Sequence, residues 1–153
     1  MGYIILKWVH VLSATILLGT GIGSAFYVFA ANREKNIAAI YFATAHVVIA
    51  DWLFIAPAVV IQFVTGVWLL YLTGYSLSDR WVQWGLGLYF FAGICWLPAV
   101  WMQIKMRDLA KAALKAGEPL PEYYWRLDRR WIIAGSLAFP AMVAIFYLMV
   151  AKP

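Results

Sequence analysis

Long apolar runs separated by short polar segments dominate the pattern along this chain. Four runs reach or exceed the roughly 20 residues that an α-helix needs to cross a hydrocarbon core. They cover about residues 3–31, 37–72, 81–104 and 131–150. The pattern predicts an all-α protein, an integral membrane four-helix bundle that forms a single transmembrane domain over residues 1–153.

Two of the predicted helices are longer than a bilayer requires. The second run is about 36 residues long, which corresponds to roughly 54 Å of helix. The third continues past Ile104 through strong helix formers until Gly117, and prolines at 119 and 121 then form a turn. We therefore predict helices over about 3–31, 37–72, 79–116 and 122–150, with helices 2 to 4 extending into the cytoplasm. A kink at Pro57, which would keep helix 2 within the lipid, is the alternative.

Composition excludes a soluble monomer, because 65% of the residues are hydrophobic and only 12% are charged. Nine Trp and nine Tyr are typical of a protein that meets lipid headgroups at both surfaces. The net charge of +5 does not indicate nucleic-acid binding, since the cations flank apolar runs instead of forming a polar surface. A single cysteine, Cys95, excludes an internal disulfide.

The twelve Lys and Arg residues are divided unequally between the two ends of the predicted bundle. Three lie on the face that carries the chain termini: Lys7, Arg80 and Lys152. Nine lie on the opposite face: Arg33, Lys35, Lys105, Arg107, Lys111, Lys115, Arg126, Arg129 and Arg130. By the positive-inside rule, both termini are predicted to be periplasmic and the protein to lie in the bacterial cytoplasmic (inner) membrane.

His10 is an ionisable residue about 10 Å below the outer end of the first helix, where such a side chain is by default a functional hypothesis. Met142 lies at nearly the same depth on the fourth helix, and a thioether can complete a haem site. Lys7, Arg80 and Lys152 at the same face could neutralise haem propionates. We therefore predict haem b bound by His10 and Met142 as metal ligands. The alternative is a neutral imidazole bonded to a neighbour and a methionine that only packs.

A second group of polar residues lies on the second helix. Positions 51, 54, 58, 62 and 65 follow helical spacing, so Asp51, Gln62 and Thr65 are predicted to form one polar intramembrane stripe facing the bundle interior. The carboxyl of Asp51 could relay protons or hold a cytoplasmic arginine such as Arg33 or Arg107, and we favour the ion pair.

Small residues at Gly19 and Gly23 of the first helix allow close approach of another helix. We expect that helix to belong to the same bundle, and a homodimer interface is the alternative. No catalytic triad, paired buried carboxylates, phosphate loop or zinc spacing is present in the sequence, so hydrolytic chemistry is not indicated and enzymatic activity stays open.

Several short motifs resemble those of a known family. They are the segments 7–10 (KWVH), 19–23 (GTGIG), 51–54 (DWLF), 95–98 (CWLP) and 149–153 (MVAKP), together with Pro57, Gln62, Thr65-Gly66, Trp101 and Met106-Arg107. These residues are similar to those of bacterial four-helix integral membrane proteins that form a family of unknown function. The resemblance covers essentially the whole chain and implies the four-helix fold, but no activity.

The Lys7-x-x-His10 opening with its following glycines also resembles the HemJ-type protoporphyrinogen oxidases, small four-helix membrane proteins that bind b-type haem. That likeness implies a haem ligand at His10 with a methionine opposite, which by depth is Met142.

The leading functional hypothesis is a haem-binding membrane protein that transfers electrons or carries out oxidoreductase chemistry on a lipid-soluble or porphyrin substrate. A quinone, a porphyrin or a redox protein would be its partner beside the lipid bilayer. A cofactor-free scaffold or accessory subunit is the second hypothesis, with its basic cytoplasmic segment contacting a partner protein or anionic lipid. A small transporter that uses the polar stripe is the third.

Overall fold

The computed structural model describes residues 2–152, and all regular structure within that range is helical. The helices are α1 (Gly2–Glu34), α2 (Ile37–Ala50), α3 (Ala56–Thr73), α4 (Arg80–Ala116) and α5 (Glu122–Ala151). A π-helical turn, Asp51–Ile55, joins α2 and α3 into one continuous helix. Residues 2–152 thus form four helices long and apolar enough to cross a membrane, which confirms the all-α prediction.

Local side-chain chemistry accounts for where the helices begin and end. Asn36 precedes α2, and its side-chain oxygen accepts hydrogen bonds from the amides of Ala38 and Ala39 at 3.0 and 3.2 Å. Gly117 ends α4 in the left-handed conformation, at a φ of 67° that disfavours other residues. Because α4 is 37 residues long, it extends roughly 55 Å, which exceeds the roughly 30 Å thickness of a hydrocarbon core.

The tightest packing lies at the end of the bundle that carries the α1–α2 and α4–α5 connections, which we call the basic end. Ile40, Ala110 and Tyr124 are completely buried there. The Tyr124 hydroxyl donates to Asn32 Oδ1 at 2.7 Å, and Asn32 Nδ2 donates to Asp128 Oδ1 at 2.9 Å. These bonds hold the end of α1 against the start of α5, so buried polar groups and apolar packing stabilise the same junction.

The opposite end, which we call the terminal end, is packed more loosely. The ammonium of Lys152 lies 4.7 Å from the ring centre of Tyr75 and 5.6 Å from that of Trp81. Between α3 and α4, the Tyr89 hydroxyl donates to the carbonyl of Val59 at 2.9 Å. Large apolar side chains are exposed on every helix, as expected for surfaces in contact with lipid.

The π-helical turn corrects one detail of the predicted stripe. Asp51, Gln62 and Thr65 are buried, but Phe54 is 47% exposed and Ile55 takes its place inside. The amide of Ala56 bonds to the carbonyl of Asp51, one residue further back than in an α-helix, so the inward-facing register shifts by one. Pro57 has no amide hydrogen, so it cannot donate the bond to the residue four positions earlier that an α-helix would require. The second helix is therefore continuous but widened beside Pro57.

The expected packing role of Gly19 and Gly23 is wrong. A Cβ atom added at either position would have nothing within 4 Å, so neither glycine admits a neighbouring helix of the bundle. Gly66 on α3 is the glycine that permits a close approach, because a Cβ there would lie 3.2 Å from Cε1 of His10.

Candidate functional sites within the membrane

His10 is buried between α1 and α3, with a hydrogen-bond partner at each ring nitrogen. Its Nδ1 lies 2.8 Å from Thr65 Oγ1, and its Nε2 lies 3.0 Å from the Gln62 amide nitrogen. The Thr65 hydroxyl donates its own hydrogen to the carbonyl of Ile61 at 2.6 Å. Nδ1 must therefore donate to Thr65, and Nε2 accepts from Gln62, so these bonds fit a neutral imidazole with its hydrogen on Nδ1.

Ser13 completes this group, which we call the His10 network (His10, Ser13, Gln62 and Thr65). Its hydroxyl lies in hydrogen-bonding contact with Gln62 Oε1 and 2.9 Å from the His10 carbonyl. Ser13 is one helical turn after His10 on α1, so both side chains face the same stretch of α3. The network therefore links α1 and α3 through four polar side chains in an apolar environment.

The His10 network has the chemistry to hold an extra proton without leaving a group unpaired. A protonated His10 would need an acceptor at Nε2. Rotation of the Gln62 amide would supply its oxygen there and turn its nitrogen toward Ser13. The Ser13 hydroxyl, which donates to Gln62 Oε1 when the imidazole is neutral, would then accept from Gln62 and turn its hydrogen to the His10 carbonyl. Gln62 can thus serve both protonation states of the imidazole.

A second group, the Asp51 network, consists of Asp51, Gln103 and Trp131. Asp51 begins the π-helical turn, and Gln103 lies on α4. In the orientation that satisfies both of its neighbours, Gln103 donates through its nitrogen to Asp51 Oδ2 and accepts through its oxygen from Trp131 Nε1 at 3.0 Å. Because an indole N–H can only donate, Trp131 fixes the direction of the Gln103 amide.

The expected arginine partner of Asp51 is not found among residues 2–152. Arg107 instead forms an ion pair with its neighbour Asp108, at 2.8 Å. Asp51 is only 2% exposed and faces neutral partners. A carboxyl group in such surroundings is costly to ionise, and intramembrane groups of this kind commonly mark ion or proton pathways.

An apolar layer separates the two networks. Gln62 and Asp51 are eleven residues apart on the same helix, which corresponds to roughly 16 Å. Leu17, Ile55 and Ala58 are buried between them, with Trp96 packed against this cluster. Within the described part of the chain, Trp96 Nε1 is the one buried side-chain polar atom with no hydrogen-bond partner. The layer would block a continuous proton path in this conformation.

His10 and Met142, the two residues predicted to ligate haem, have different neighbours in the bundle. Met142 packs against the cluster of Leu17, Ile55 and Ala58. Leu17 lies seven residues beyond His10 on α1, or roughly 10 Å. Both nitrogens of His10 already have protein partners, so iron could reach Nε2 only if Gln62 moved away.

The predicted cations of that site lie at the terminal end. Arg80 is exposed at the start of α4, and Lys152 caps α5. Lys7 is exposed on α1, where its ammonium lies 6.0 Å from the ring centre of Tyr3. Within residues 2–152, no three His, Cys, Asp or Glu side chains cluster in a way that could hold a metal ion.

Sequence reasoning missed Ser13, Gln103 and Trp131 as members of the buried networks. The position of Ser13, three residues after His10, was the available signal. Gln103 and Trp131 carry no comparable signal, because their roles depend on α4 and α5 lying beside the π-helical turn.

Comparison with known proteins identifies a family but no activity. Residues 4–153 match the family model described as predicted integral membrane protein (DUF2269). No curated protein and no solved structure matches the chain. The comparisons therefore support a multi-pass integral membrane protein and give no support to the HemJ likeness.

Proposed function

We propose that this chain, which belongs to the DUF2269 family of integral membrane proteins, transfers protons through the membrane by way of its buried polar side chains. The proposal develops the transporter hypothesis, and it rests above all on Asp51. This carboxyl group is buried in a membrane helix and has a glutamine amide, not a cation, as its partner. In this proposal Asp51 is the proton-binding group nearer the basic end.

His10 is the second proton-binding group in the proposal, nearer the terminal end. The His10 network supports this role because Gln62 and Ser13 can reverse their hydrogen bonds when the imidazole gains a proton. Both titratable groups face the bundle interior along the buried side of the second helix, which contributes Asp51, Gln62 and Thr65. With the basic end in the cytoplasm, as the charge distribution predicts, protons would be exchanged between Asp51 and His10 across the membrane.

The apolar layer determines what kind of transfer is proposed. Because Leu17, Ile55 and Ala58 separate the networks, the transfer we propose is that of a carrier that rearranges this layer, and not that of an open proton channel. The π-helical turn and Pro57 lie at the layer, where the helix backbone is already irregular. Such irregular turns are frequent at functional sites and permit local changes of helix register.

The test is proton flux in liposomes that contain the purified protein and a pH-sensitive dye in the lumen. A pH gradient with valinomycin and K⁺ to balance charge should collapse faster with the wild-type protein than in empty liposomes. Asp51→Asn keeps the shape of the side chain but cannot release a proton, so we expect at least a tenfold loss of protein-dependent flux, as for removal of an essential proton-transfer group.

Asp108→Asn is the matched control, because Asp108 is an exposed carboxylate of the same basic end. It should retain the wild-type flux. Equal flux in the wild type, Asp51→Asn and empty liposomes, with all proteins folded and inserted, would reject the proposal and favour a scaffold role.

Haem binding remains a second proposal, favoured by one contact. A histidine that ligates a metal usually donates its other ring hydrogen to an orienting partner, and Nδ1 of His10 has Thr65 in that position. A reduced-minus-oxidised absorption spectrum of protein purified after expression with adequate haem supply tests it. Sharp α and Soret bands that disappear in His10→Ala would support haem, and a featureless spectrum of the folded wild type would reject it.

A further inference from the structure

The lipid-facing sides of three helices end in exposed cations near one level of the bundle. On α5, Ile133 is an exposed apolar residue, and Arg130 and Arg126 follow on the same helix face toward the basic end. This spacing of three and four residues continues one surface from hydrocarbon to headgroup depth. Arg129 is also exposed and adjoins this face.

The other two helices repeat the arrangement. On α4, the exposed Leu97 and Trp101 are followed after one turn by the exposed Lys105. On α1, the exposed Phe29 is followed by Arg33, whose guanidinium carbon lies 5.8 Å from the phenyl ring centre. The Gln103–Trp131 hydrogen bond shows that these two residues lie at the same depth. Lys105 is two residues after Gln103 and Arg130 directly precedes Trp131, so the two cations lie at similar depth on their helices.

Among residues 2–152, no acidic side chain forms an ion pair with Arg33, Lys105 or the α5 arginines. Asp128 faces inward, where Asn32 donates to it. In the described part of the chain, the single Lys or Arg ion pair is Arg107 with Asp108. Arg126 lies 5.9 Å from the ring centre of Tyr123 and leaves its donors open to the headgroup region. The cations thus form a positive surface whose N–H groups are available to donate hydrogen bonds.

From this continuity of the lipid-facing surface, we propose that the α5 face formed by Arg126, Arg129 and Arg130 binds the phosphate groups of anionic phospholipids. A soluble acidic partner would not require the cations to continue surfaces that lie in hydrocarbon. Guanidinium groups suit phosphate because they can donate two parallel hydrogen bonds. The proposal is independent of proton transfer.

The test compares lipid binding by the full chain purified in a neutral detergent. Thermal unfolding and native mass spectrometry would be recorded with added phosphatidylglycerol or phosphatidylcholine. We expect phosphatidylglycerol to bind and stabilise the wild type more than phosphatidylcholine does. Arg126→Gln/Arg130→Gln should weaken phosphatidylglycerol binding by about fivefold for each cation removed.

Lys111→Gln/Lys115→Gln is the matched control, since it removes the same charge from α4 farther from the hydrocarbon. Lys111 and Lys115 lie six and ten residues beyond Lys105, or roughly 9 and 15 Å along the helix. The control should retain wild-type binding. Equal losses in the two variants, or equal binding of both lipids by the wild type, would overturn the proposal. Helical circular dichroism and monodisperse elution confirm that each variant is folded.

Discussion

Gln62 and Gln103 are buried glutamines in the two polar networks, and their neighbours give them opposite properties. Gln62 lies between His10 and Ser13, both of which can donate or accept. Gln103 lies between Asp51 and Trp131, and the indole N–H can only donate. The first amide can therefore reverse its direction, whereas the second is held in one orientation.

This difference shows how one residue type can serve two roles in the same membrane protein. Around His10, reversible hydrogen bonds allow the protonation state to change without creating an unpaired buried group. Around Asp51, a fixed donor leaves one carboxyl oxygen committed to Gln103, so proton exchange would occur at the other oxygen. The surrounding donors and acceptors, and not the glutamine itself, determine what each network can do.

Gln103→Leu should produce the largest loss of stability. The substitution leaves the Asp51 carboxyl without its donor and the Trp131 N–H without its acceptor, both in buried positions. We expect the free energy of unfolding to fall by about 3 kcal/mol. Unfolding in mixed micelles with increasing SDS measures it. Gln83→Leu, at an exposed glutamine of the same helix, is the control, and a similar loss there would contradict the role of the Asp51 network.

Gln62→Leu should have a smaller effect on the same measurement. His10 Nε2 loses its donor, but the Ser13 hydroxyl keeps the His10 carbonyl as an acceptor. Because one buried group loses its partner instead of two, we expect the free energy of unfolding to fall by about 2 kcal/mol. A loss of stability larger than that of Gln103→Leu would contradict this explanation, in which the loss depends on how many buried groups each substitution leaves without a partner.

Trp131→Phe tests the fixed orientation of Gln103. It removes the donor that faces the Gln103 oxygen and should cost about 1.5 kcal/mol, since one buried acceptor loses its partner. Trp101→Phe is the control, because Trp101 is half-exposed on the lipid side of the same region. Combining Trp131→Phe with Gln103→Leu should cost less than the two separate losses together, as for residues that share one interaction. Additive losses would exclude that coupling.

Gly66→Ala should give the smallest change. Alanine in place of glycine generally stabilises a helix by up to about 1 kcal/mol, and Gly87→Ala, with open space around the added carbon, should show that gain. At Gly66 the new Cβ would lie 3.2 Å from His10 Cε1, so displacement of the imidazole should cancel the gain. Equal stabilisation by both substitutions would mean that His10 moves freely and is not held by its network.

Much of the fold could be predicted from local patterns. The length of the apolar runs indicated four membrane helices, and Gly117 indicated the end of α4 because its left-handed conformation disfavours side chains. The π-helical turn could not be predicted in this way. Helical spacing assumes a constant register, whereas the turn adds a residue and replaces Phe54 by Ile55 on the buried face.

The sequence by itself determined that this protein lies in lipid, how many membrane helices it has and that its two ends differ in charge. These properties follow from composition and from the order of residues along the chain. It also indicated His10 and Asp51 as unusual groups for a membrane helix. Only the tertiary structure decided their partners. A hydrogen bond depends on which helix faces lie together and at what depth. Gln62 and Gln103 therefore have different roles, which the residues next to them in the sequence do not reveal.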